Sequence, residues 1–129
     1  MLPRPAWEGD TFAVYSWSPD GKLLAGQIIT AADRGSGVAI YSIDSQQYDK
    51  LVELPGGCCR WLNDSRRLLF LSQGKLYLLD SVSKAYEEVR DLGGWVGSFS
   101  LSRDNRTIYF ERYLEEEADI WMLTLNEEQ

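Results

Sequence analysis

The sequence predicts an all-β fold of three four-stranded blades, half of a six-bladed β-propeller, with the third blade lacking its outer strand. Three observations predict it. First, a turn motif recurs. Ser16-Trp17-Ser18-Pro19-Asp20-Gly21 is echoed by Arg60-Trp61-Leu62-Asn63-Asp64-Ser65 and again by Ser100-Leu101-Ser102-Arg103-Asp104-Asn105. Second, the shared acids Asp20, Asp64 and Asp104 lie 44 and then 40 residues apart. Third, short apolar runs bounded by Gly, Pro, Asn, Asp and Ser follow one another at roughly ten-residue intervals, four to a unit. Four short strands repeated at this period describe a propeller blade. A helical solenoid would show a 3.6-residue period inside each unit, and none is present. A β-sandwich has strands at this spacing but not the same turn three times in register.

The elements follow in order. Residues 1–11 carry Pro3 and Pro5, which cannot donate to a ladder, so they read as a lead-in or an edge strand. Blade 1 spans 12–55. Its first strand covers 12–17, rich in aromatic and β-branched residues. Ser18-Pro19-Asp20-Gly21 is a tight turn, because Pro19 presets φ, Asp20 bonds nearby backbone and Gly21 accepts positive φ. Strands follow over 23–30, 38–44 and 48–54, with a turn at Ser45-Gln46-Gln47. Blade 2 spans 56–93, with strands over 58–62, 67–72, 75–80 and 86–92. Gln73-Gly74 is its two-residue hairpin turn. Blade 3 spans 94–129, with strands over 95–101, 107–112 and 119–125. Residues 113–118 include Glu115, Glu116 and Glu117. They favour helix on propensity but are too few for a stable one, and they read as a solvated acidic loop.

Composition narrows the function classes. The chain has 129 residues, one domain's length, with 44% hydrophobic and 26% charged residues, which is globular. A net charge of −7 argues against nucleic-acid and anionic-membrane partners, both of which are bound by basic patches. The sequence contains no histidine. That removes Ser-His-Asp and Cys-His triads and the commonest general base, so the chain reads as non-catalytic. Cys58 and Cys59 are adjacent, a placement that seldom pairs, and they read as two small apolar residues. No cofactor is implied. One acid per blade at equivalent turns places Asp20, Asp64 and Asp104 too far apart to share a calcium ion. No apolar run reaches spanning length, and the N-terminus lacks a signal-peptide layout, so a complete gene product of this sequence would be cytoplasmic.

At its first turn the chain resembles TolB-type, WD-repeat-like propellers. The features that carry the resemblance are Trp17-Ser18-Pro19-Asp20-Gly21 and three strand cores. These are Ile40-Tyr41-Ser42-Ile43-Asp44, Leu76-Tyr77-Leu78-Leu79-Asp80 and Ile120-Trp121-Met122-Leu123-Thr124. The match spans residues 12–125. The second unit has Asn63 for Pro and Ser65 for Gly, and the third lacks the Trp. More narrowly, the chain is similar to the C-terminal propeller segments of some bacterial serine/threonine kinases, although no kinase motif is present. The resemblance implies a fold and not one activity, since propellers serve many purposes. Related propellers also accompany prolyl-oligopeptidase-like peptidases, where they act as regulatory domains.

Three blades do not close a ring. Two copies would supply six, so homo-oligomeric assembly is expected, with a longer propeller that serves as the sensor or regulatory domain of a kinase or peptidase as the alternative. Residues 2–8, anchored by Trp7, would complete blade 3 of the partner copy by strand exchange. Trp17, Tyr41, Trp61, Tyr77 and Trp121 are expected in the cores between blades. Asp20, Asp64 and Asp104 are expected to cap their turns. Trp7, Trp95 and the acidic group Glu115, Glu116 and Glu117 are the candidate interface residues, the acids as a docking surface for a basic partner.

Overall fold

The computed structural model describes residues 10–30, 35–54, 58–93, 95–114 and 117–124. These form eleven antiparallel strands in three sheets. The first sheet runs β1 (Thr11–Trp17), β2 (Leu23–Ile29), β3 (Gly35–Ser42) and β4 (Gln47–Val52) in order. The second runs β5 (Cys59–Trp61), β6 (Arg67–Ser72), β7 (Lys75–Asp80) and β8 (Tyr86–Asp91). The third has β9 (Trp95–Leu101), β10 (Thr107–Leu114) and β11 (Glu117–Thr124), with no fourth strand among the described residues. Each sheet is a simple meander, the arrangement that tight hairpin turns between consecutive strands dictate.

Strand sequence tracks distance from the cores. β6 reads Arg-Leu-Leu-Phe-Leu-Ser and is buried on both sides, because a blade covers each of its faces. Leu68 and Phe70 point into one core with Ala25, Val38, Ile40, Val52 and Trp61. Leu69 and Leu71, on the opposite side of the same strand, join Leu76, Phe99, Ile108 and Phe110 in the other. β8, Tyr-Glu-Glu-Val-Arg-Asp, is exposed along its whole length, as befits an outermost strand. The two cores are therefore the junctions between successive blades, and burial in them is the main source of stability.

Several strand limits differ from those read in the sequence. The turn before β4 occupies residues 43–46, and Gln47 already pairs with Ser42. The β10–β11 ladder continues to Tyr113 opposite Ala118 and Leu114 opposite Glu117. The expected loop over 113–118 is thus mostly ladder, and Glu117 is a strand residue. Glu115, Glu116 and Trp7 lie outside the described residues. β8 likewise carries Glu87, Glu88 and Asp91 within a ladder, so charge does not prevent strand pairing where the side chains reach water.

The ladders also correct the alignment of the third strands. Tyr41 pairs with Leu24, whereas Tyr77 pairs with Phe70, and it is Leu79 that pairs with Leu68. Leu24 and Leu68 hold the same place after their turns. Tyr41 therefore corresponds to Leu79, and Ser42 to Asp80. The local bonds agree. The Ser45 N–H donates to Ser42 Oγ at 3.3 Å, as the Ser83 N–H donates to Asp80 Oδ1 at 3.2 Å. Gln46 and Lys84 then take the same left-handed conformation, at φ of 56° and 65°.

Candidate interaction surface

The repeated turns gather at one end of the sheets. In blade 1 the Ser18 hydroxyl donates to Asp20 Oδ1 at 2.6 Å, which also accepts the Lys22 N–H at 3.0 Å, while Ser18 Oγ accepts the Leu23 N–H at 3.0 Å. Blade 3 repeats this with Ser102, Asp104, Arg106 and Thr107, at the same three distances. In blade 2 Leu62 replaces the serine, and Asp64 compensates. Its Oδ1 accepts the Arg66 and Arg67 N–H groups at 3.0 and 2.9 Å, and its Oδ2 accepts Arg67 Nε at 2.7 Å.

These bonds favour the charged carboxylates. The Ser18 hydroxyl, then the Lys22 amide, hold Asp20 below the usual 3.8, and Ser102 and Arg106 do the same for Asp104. Burial raises Asp64, but the two amides and the Arg67 guanidinium outweigh it. The Arg66 guanidinium lowers Asp80 most, lying 3.1 Å from both its oxygens. All these acids are bound up in local turns. Among the described residues no group of three or more His, Cys, Asp or Glu is placed to hold a metal ion.

The turns are also joined to each other. The position of Gly21 is held by Ser65 and Asn105 in the later blades, all three at positive φ (77°, 57° and 61°). Ser65 Oγ accepts the Asp20 N–H of blade 1 at 3.0 Å. Asn105 Oδ1 accepts the Asn63 N–H of blade 2 at 2.5 Å, and Asn63 Nδ2 donates to the Arg103 carbonyl at 2.8 Å. What reads in sequence as decay of the glycine is a side chain reaching the preceding blade.

A second link lies between the inner strands. The Trp61 N–H donates to Ser16 Oγ at 3.1 Å, and its indole Nε1 donates to the Ser16 carbonyl at 3.2 Å. The ring itself is buried in the core between blades 1 and 2. At the next junction the counterparts differ. Arg60 stands where blade 1 has Ser16, with its guanidinium 6.0 Å from the Phe99 ring centroid, and Leu101 stands where blade 2 has Trp61. A further ion pair, Lys84 Nζ to Asp49 Oδ1 at 2.8 Å, spans blades 1 and 2 at the surface.

The outward faces of the end blades contrast with these junctions. Trp17, expected in a core, is 62% exposed. Part of the reason is its face, which is turned away from blade 2, although Leu24 and Tyr41 on that face are buried. Trp17 pairs with Leu24 and alternates with Ala25, which points toward blade 2. Trp61 stands in the same place but has blade 1 before it. Val14 lies on the same face as Trp17 and is also exposed. On blade 3, Tyr109 and Met122 pair across β10 and β11 on the side away from blade 2, and both are exposed, Met122 at 65%. Trp61 is buried in the first core, and Tyr77 stacks on Phe70 at 5.1 Å, partly buried against that core. Tyr41, expected in a core between blades, is buried instead on the face of blade 1 turned away from blade 2, because it pairs with Leu24 and not with Ala25. Trp121 pairs in register with Phe110, and Trp95 opens β9 opposite Tyr113. Cys58 and Cys59 are free thiols, and burial pushes that of Cys59 up to about 12.

Sequence reasoning missed Ser16, Ser65, Ser100 and Asn105. The signal for two of them was present: the residue before the Trp17 position is serine in blades 1 and 3 and arginine in blade 2.

No protein-family model matches the chain, and no curated protein matches it. Solved structures do. The chain superposes on putative TolB from Agrobacterium tumefaciens with a TM-score of 0.78 at 15% identity, covering 96% of this chain and 48% of that one. On TolB from Acinetobacter baumannii the TM-score is 0.74 at 14% identity, covering 92% and 31%. On oligogalacturonate lyase in complex with manganese it is 0.68 at 15% identity, covering 94% and 37%. The chain thus has a TolB-like β-propeller fold, and spans less than half the length of each of these propellers.

Proposed function

We propose that this chain is a non-catalytic protein-interaction module that completes a propeller with a second copy of itself, six blades in all. One observation carries the reading. Both internal blade junctions are closed apolar cores, whereas the outward faces of blades 1 and 3 leave Trp17, Val14, Tyr109 and Met122 in solvent, although Leu24, Ile28, Ala39 and Tyr41 on the face of Trp17 are buried. Exposed aromatic and apolar residues in a patch mark an interaction site. These two faces are the two halves of the junction the chain already makes twice. In such a ring, residues 2–8 of one copy, with Trp7, would supply the fourth strand beside β11 of the other. The module then presents rigid loops to further partners. The lack of histidine in the sequence supports a binding role over a catalytic one. The lyase among the structural neighbours shares the fold at 15% identity, which says nothing of activity here.

Light scattering on the eluted protein tests this. The assembly gives about twice the 14.7 kDa of one chain. A mass of one chain at every concentration overturns it and favours the second reading, a segment of a longer sensor or regulatory propeller of a kinase or peptidase. The 31–48% coverage of the neighbours supports that alternative.

A further inference from the structure

We infer that copies join head to tail through one specific contact, with Trp17 of one copy seated on Ser100 of the next. This rests on the ring-closure reading above and adds the residues that make the joint. The argument is internal to the chain. Blade 2 docks on blade 1 by burying Trp61 and bonding both of its N–H groups to Ser16. A new junction of the same kind needs an exposed tryptophan at the Trp61 position on the leading face. It also needs a serine at the Ser16 position on an open trailing face. The chain has one of each. Trp17 is the exposed tryptophan of blade 1. Ser100 is the serine of blade 3, exposed and lying between Phe99 and Leu101, which both point toward blade 2. Neither side chain bonds to another described residue. The internal junction between blades 2 and 3, with Arg60 and Leu101, lacks this pair. Closing the ring would therefore recreate the first junction and not the second. The indole of Trp17 would donate to the Ser100 carbonyl, and the Trp17 N–H to Ser100 Oγ. Burying an aromatic with its N–H satisfied is the usual make-up of an interface hot spot.

Direction makes the inference testable. Trp17→Arg blocks only the leading face and Ser100→Glu only the trailing face. Sedimentation should show each variant alone weakened in self-association by about 30-fold or more per junction. Mixing the two should restore dimer. The mixed pair has one junction with Trp17 and Ser100 both intact, and one joining the introduced arginine to the introduced glutamate. Circular dichroism like that of the unaltered chain confirms that each variant is folded, which exposure of both sites favours, and recovery on mixing confirms it independently. If the unaltered chain dimerises and both variants dimerise equally well, the Trp17–Ser100 joint is overturned while ring closure stands. If the variants weaken but mixing restores nothing, head-to-tail pairing is overturned. If the unaltered chain is a monomer throughout, both readings fall.

Discussion

Each turn acid binds the chain ends of its own hairpin, and the chemistry of that binding sets a pH window. Asp20, Asp64, Asp80 and Asp104 are all lowered from 3.8 in the folded chain. A lowered folded value means that the stabilisation is complete above the unfolded value. It is lost as pH falls through the folded ones. Stability should therefore hold flat from neutral pH to about 4 and drop below that. Asp64 is the acid to test, because it serves two amides and a guanidinium at once. Asp64→Asn should lower the unfolding free energy at pH 7 by about 0.5–1 kcal/mol, a value already reduced for solvent screening of a half-exposed site. The difference between variant and parent should shrink as pH falls below about 4 and the parent acid takes up its proton. A difference that stays constant with pH would show that the charge is not what matters. The same scale explains the drift at Gly21, Ser65 and Asn105. Asparagine accepts the left-handed backbone at a smaller cost than most residues, and Ser65 and Asn105 in return hold the blade before them.

Strands, taken as elements, show what a period of two can and cannot reveal. Phe70 sits at the centre of β6, 1% exposed, stacked on Tyr77 with the rings 13° from parallel. Phe70→Ala should cost about 3–5 kcal/mol in chemical denaturation, since neighbouring strands cannot collapse into the space. A loss below 1 kcal/mol would mean that the junction is not tightly packed. The turns and the order of strands were legible because Pro19, Asp20, Gly21 and their counterparts have specific backbone roles. The row of Tyr41 was not. Sliding a strand by two residues leaves every side chain on its face, so alternation cannot detect it, and only the partner strand fixes the row. The burial of Trp17 was misjudged for a related reason. Its sequence is that of a core position, and its exposure depends on whether a blade precedes it. The pairing of Tyr113 and Leu114 with Ala118 and Glu117 was hidden because a run of acids reads as a loop, whereas a strand can carry charge as readily. β8 shows the same in full view.

The whole molecule behaves as a short linear array, in which stability is a sum of blades and the junctions between them. Three blades give two junctions, and a ring of two chains adds two more, held between copies. Junctions between copies obey mass action, and those within a chain do not. Thermal unfolding should separate the two. For the unaltered chain the melting temperature should rise across a roughly hundredfold range of protein concentration, because dilution removes the closing junctions. Trp17→Arg should give a lower melting temperature that no longer depends on concentration, because only the internal junctions remain. Phe70→Ala should lower the melting temperature at every concentration and leave its rise intact. Its cavity opens within the chain and leaves the faces of Trp17 and Ser100 unchanged. A melting temperature of the unaltered chain that is independent of concentration would mean that the outer faces of blades 1 and 3 stay open. The two internal cores would then be all that holds the fold.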